Sequence, residues 1–170
     1  MFAGVFDEFF GVPTHPLAVH APVVLIPILA VVAVVFAVRS AQRRRIWWLM
    51  PAGVFVMTAM LFVAKESGES LLSSADVFLM GTEEQISNHQ SLGEATFIIT
   101  LLWFVASAAL AVRDRMVAKR TATALSSDVA VAPPDRVALV ISLATVVLAV
   151  LATVWLIRTG HAGAESRWPV

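Results

Sequence analysis

The chain has 170 residues, 59% of them hydrophobic and 14% charged, with a formal net charge of zero. A soluble domain carries about 25% charged residues, so this composition excludes an ordinary soluble domain and indicates an integral membrane protein with little mass outside the bilayer. There is no cysteine, which excludes disulfides, thiolate metal sites, iron–sulfur clusters and a haem attached through CxxCH.

The first twelve residues, MFAGVFDEFFGV, have no basic stretch and contain Asp7 and Glu8, unlike a signal peptide. Phe2, Phe6, Phe9 and Phe10 make them read as a short amphipathic segment on the membrane surface. A spanning helix needs about 20 apolar residues, and four runs supply them. The first is 17–38, with Pro22 and Pro27 expected to kink its first half. The second is 46–64, opened by Trp47 and Trp48 as interfacial anchors. The third is 93–112 and the fourth 137–157. The reading is therefore an all-α integral membrane protein. Its single domain, residues 1–170, is a bundle of four transmembrane helices.

Charge sets the expected orientation. The first connection carries Arg39, Arg43, Arg44 and Arg45. The third carries Arg113, Arg115, Lys119, Arg120 and Arg136, so together they hold nine of the twelve basic residues. The second connection is acidic, with Glu66, Glu69, Asp76, Glu83 and Glu84. By the positive-inside rule the first and third connections are cytoplasmic, and both termini lie on the outer side. A flexible cytoplasmic linker is expected over about 114–136. In the outer connection Thr82-Glu83-Glu84-Gln85 is a capping-box pattern that starts a helix near residue 83. Small and hydroxylated residues (Ser107 in the third span; Ser142, Thr145, Ala149 and Thr153 in the fourth) read as helix-packing positions.

This topology brings all four histidines to one face. His15 and His20 open span one, His89 precedes span three, and His161 follows span four. Glu66, Glu69 and Glu94 lie near the same face. Imidazole suits haem iron, copper and zinc, and carboxylate adds harder ligation or supports it. Gly93, one turn from His89, leaves room for a flat macrocycle, and Gly160 and Gly163 flank His161 and allow close backbone approach. No charged side chain lies in the middle of a span, which argues against a pump. GxSxG, HExxH and phosphate-loop patterns are all absent, and no nucleophile–base pair stands out.

Several motifs together resemble a family of uncharacterised bacterial membrane proteins of unknown function, four spans long, that opens with an HPxxVHFP-like motif. Here it reads His15-Pro16-Leu17-Ala18-Val19-His20-Ala21-Pro22, with Ala21 where the family commonly has Phe. Ser67-Gly68-Glu69 is similar to the family's Thr-Gly-Glu. His89-Gln90-Ser91-Leu92-Gly93-Glu94 is similar to its His-x-x-Leu-Gly-Glu, and Thr159-Gly160-His161-Ala162-Gly163-Ala164 to its Thr-Gly-His-x-Gly-Ala. The resemblance implies a multi-pass protein of the bacterial cytoplasmic membrane. Its histidines imply haem or metal, and its relatives resemble modules seen beside redox domains.

Three functions follow as expectations. The first is membrane electron transfer by a haem b held non-covalently, with His20 and His89 favoured as ligands and His15 and His161 as the second pair. The second is a zinc or copper site built from His15, His20, His89 and His161 with Glu69 and Glu94. The third is an accessory subunit without cofactor, packed against a larger respiratory membrane complex. The lipid bilayer and other redox subunits are the expected partners; nucleic acid is not.

Overall fold

A computed structural model describes residues 8–73, 81–125 and 135–167. It begins with a hairpin of β1 (Glu8–Phe9) and β2 (Val12–Pro13), Glu8 facing Pro13 and Phe9 facing Val12. Phe10 and Gly11 turn it with φ of 55° and 75°, the positive values that a tight hairpin turn requires. The amphipathic segment expected at 1–12 is thus a hairpin where it is described, and residues 1–7 lie outside the described residues.

Five helices follow: α1 (Thr14–Val38), α2 (Ser40–Arg45), α3 (Leu49–Ser73), α4 (Glu83–Leu125) and α5 (Arg136–Arg167). Four of them, all but α2, are long and apolar enough to cross a membrane. α1 runs unbroken through Pro22 and Pro27 and buries Thr14, Ala18, Pro22, Ile26, Ala33 and Phe36, a stripe at helical spacing. It starts two residues before Pro16, whose missing N–H therefore still falls within the unpaired first turn.

α4 starts where the sequence places it. Thr82 N–H donates to Gln85 Oε1 (2.9 Å) and Gln85 N–H to Thr82 Oγ1 (3.3 Å), the reciprocal bonds of a capping box. At its other end α4 departs from the sequence reading. It continues to Leu125 through residues expected in a linker, and α5 begins at Arg136. The stretch 113–125 has no Gly or Pro and holds three Ala and three Arg with single Lys, Met and Leu residues, so nothing in it stops a helix. Only 126–134 of that linker lie outside the described residues. Asp135 caps α5 through the N–H groups of Val137 (3.1 Å) and Ala138 (3.2 Å). The guanidinium of Arg113, hydrogen-bonded to Asp135 at 2.9 Å, holds its carboxyl below the usual carboxylate range, with those N–H groups adding to the effect.

The long helices run up and down in chain order, and α5 returns to pack on α1, so each touches two neighbours in a closed ring. Ile26, Phe36, Val54, Met57, Leu61, Trp103, Ala149, Ala152 and Leu156 fill the centre. The outer surface is also apolar: Val24, Val31, Val105, Val140 and Ile157 are all more than half exposed. A bundle with an apolar outside as well as an apolar inside suits a lipid bilayer and a multi-pass membrane protein. The ring has two ends. The starts of α1 and α4 and the finishes of α3 and α5 form a histidine end, and the opposite turns form an arginine end.

Candidate cofactor site at the histidine end

His15 and His89 meet inside the histidine end. Their rings are 6.1 Å apart between centroids and nearly perpendicular, at 85°. Each is fixed by a backbone carbonyl of another helix: His15 Nδ1 is 2.7 Å from Ala64 O on α3, and His89 Nδ1 is 2.9 Å from Thr159 O on α5. A carbonyl only accepts, so Nδ1 carries a proton in each ring, and in the neutral form the lone pair is on Nε2. Metal-binding imidazoles are prepared in the same manner, with the second nitrogen donating to a carbonyl or carboxylate.

Glycines seat both rings. A Cβ on Gly68 would stand 3.1 Å from His15 Nδ1, and one on Gly163 would stand 2.9 Å from His89 Cε1. These are positions where only a bare backbone lets the ring lie this close. Below them Thr96 and Thr159 share a hydroxyl contact of 2.9 Å between α4 and α5, and Thr96 is fully buried.

The other sequence candidates stand apart from this pair. His20 is exposed, and its Nδ1 bonds the Pro16 carbonyl of its own helix. Five residues at about 100° each put it roughly 140° around α1 from His15, and the buried stripe passes on the His15 side. His161 is exposed and pairs with Glu165 at 3.2 Å. Glu69 pairs with Lys65 at 2.6 Å, and Glu66 stands 3.7 Å from the same ammonium. Glu94 is exposed and within electrostatic reach of Lys65. Among the described residues, no three His, Asp or Glu side chains come together closely enough to hold a metal ion. A Cβ on Gly93 would stand 3.8 Å from the methyl of Thr159, and Gly163 serves His89 where the sequence suggested His161.

Sequence reasoning passed over a second buried polar site, at the arginine end. Arg43 of α2 grips Asp114 of α4 in a two-point ion pair, Nε to Oδ2 at 2.7 Å and Nη2 to Oδ1 at 3.0 Å. Its Nη1 reaches Phe36 O and Ser142 Oγ, each at 3.2 Å, and both charged residues are buried. The signal was present in the spacing. Thr96, Thr100, Trp103 and Ser107 mark the buried face of α4, and Asp114 follows Ser107 by seven residues on that same face.

No family model, curated protein or solved structure matches this chain.

Proposed function

We propose that the chain is a membrane electron-transfer protein that binds haem b through His15 and His89, at the outer end of a four-span bundle in the bacterial cytoplasmic membrane. The carrying observation is the pair of adjacent imidazoles, each with Nδ1–H committed to a carbonyl of another helix, which leaves Nε2 as the nitrogen that could ligate. Two imidazoles suffice for haem, whose macrocycle supplies the remaining iron ligands. A closed zinc site takes four protein ligands and a catalytic one three, more than this cluster gathers among the described residues. The donor set therefore fits haem better than a bare ion. Bound haem would supply one-electron chemistry at a potential set by its ligands and surroundings. The chain's own part is to hold two imidazoles by their Nδ1–H groups and to exclude water with the packed helices beneath them. The arginine-rich connections support the outer placement through the positive-inside rule.

The test is a reduced-minus-oxidised visible spectrum of protein purified from cells supplied with haem precursor. Sharp haem bands are expected in the wild type, in His20→Ala and in His161→Ala, and at least a tenfold loss of bound haem in His15→Ala and His89→Ala. A colourless wild type, or loss of haem in His20→Ala alone, overturns the assignment.

One observation favours a second reading. His15 ties α1 to α3, and His89 ties α4 to α5, so the two rings also work as interhelical hydrogen-bonding struts. A colourless protein whose His15→Ala and His89→Ala variants lose stability would support that role, in an accessory subunit without cofactor.

A further inference from the structure

The arginine end carries a charge imbalance that folding sharpens. Among the described residues its only acids are Asp114 and Asp135, and both are spent on ion pairs, with Arg43 at 2.7 Å and with Arg113 at 2.9 Å. The remaining guanidiniums of this end have no carboxylate partner among the described residues. Three of them are gathered by the fold. Arg44 and Arg45 finish α2, whose preceding residue Arg43 is bonded to Asp114. Arg115, next after Asp114, lies over the Trp47 ring at 4.3 Å. The buried pair therefore sets α2 against α4, with Arg44 and Arg45 three and two residues before Trp47, the ring over which Arg115 lies. All three arginines are exposed. Beside them Trp48 is 53% exposed, and tryptophan prefers the headgroup level. Immediately inward lie the exposed Val38 of α1 and Val112 of α4, positions suited to acyl chains.

We propose that Arg115, stacked on Trp47, and the neighbouring Arg44 and Arg45 of α2 form a binding site for the phosphate of an anionic phospholipid. Guanidinium matches phosphate oxygens in geometry as well as charge. The stack on Trp47 fixes one guanidinium in advance, so less side-chain entropy is lost on binding. The occupant is a membrane lipid because the cationic group sits at the rim of an apolar belt. The site is independent of the histidine end and stands whether or not haem is bound there.

Native mass spectrometry of the purified protein, with phosphatidylglycerol and phosphatidylcholine supplied in equal amounts, tests the proposal. The wild type is expected to retain phosphatidylglycerol on the order of tenfold more than phosphatidylcholine. Raising the salt should reduce that preference, and millimolar inorganic phosphate should not compete. R44A/R45A/R115A should lose the preference, and R44K/R45K/R115K should keep part of it. Equal retention of the two lipids by the wild type overturns the proposal, as does an alanine variant that keeps the full preference. Should the alanine variant fail to fold, the wild-type ratio at low and high salt decides alone. A salt-independent ratio counts against the site, and displacement by inorganic phosphate assigns it to a soluble anion.

Discussion

At the level of single residues, the candidate site depends on which atom each imidazole offers. Ala64 O and Thr159 O accept hydrogen bonds from Nδ1–H of His15 and His89, so Nε2 is the nitrogen of each ring left for other chemistry. The two glycines beside His161 in sequence make this arrangement testable. Gly163 faces the His89 ring, with space for a Cβ only 2.9 Å from Cε1, whereas a Cβ on Gly160 meets nothing within 4 Å. Gly163→Ala is therefore expected to push His89 off Thr159 O, to cost about 1–3 kcal/mol through overpacking, and to weaken haem retention. Gly160→Ala should be neutral or stabilising, by up to about 1 kcal/mol from helix propensity. Thermal unfolding in detergent together with haem content checks the pair; equal behaviour of the two variants would remove the glycine seat from the account. A sequence reader sees both glycines near His161 and credits them to it. The correct pairing is a contact between α4 and α5, which spacing along α5 does not reveal.

Among elements, the short α2 shows most clearly what sequence reveals and what it hides. The basic run Arg43-Arg44-Arg45 is readable as a topology signal, because charge alone decides that. That one of the three turns inward is decided by a partner 71 residues away. Burying a lone guanidinium would be costly, and the two-point bond to Asp114, with Phe36 O and Ser142 Oγ, makes the burial tolerable. A buried pair of this kind is worth little against an apolar replacement but is expensive to break from one side. Arg43→Ala or Asp114→Asn should each cost about 3–5 kcal/mol. The double substitution R43M/D114L should cost much less than their sum, and a double-mutant cycle of unfolding free energies measures the difference. Strict additivity would show that the two groups do not depend on each other. The same pair explains why α4 stays ordered at Asp114, where composition suggested a linker. The helix is anchored there from α2, and nothing in the next eleven residues breaks it.

For the whole molecule, four apolar runs, their order and the gathering of histidines at one end were all legible in sequence, since each follows from hydropathy and an even number of crossings. Which histidines face each other was less accessible, although the angle between His15 and His20 on one helix already separates them. The face of the membrane on which the histidine end stands rests on arginine placement, and it decides where an electron could be delivered. The lack of any native cysteine allows a clean measurement. Ser87 at the histidine end and Gln42 at the arginine end are both exposed, so Ser87→Cys and Gln42→Cys each introduce one reporter. A membrane-impermeant maleimide added to intact spheroplasts is expected to label Ser87→Cys at once and Gln42→Cys only after lysis. The opposite pattern would place the histidine pair on the cytoplasmic side and the cationic group near Trp47 on the outer leaflet. The positive-inside argument would then fail for this chain. The geometry of the two sites would stand, and any electron carried by the His15–His89 pair would have to be exchanged with a cytoplasmic donor or acceptor.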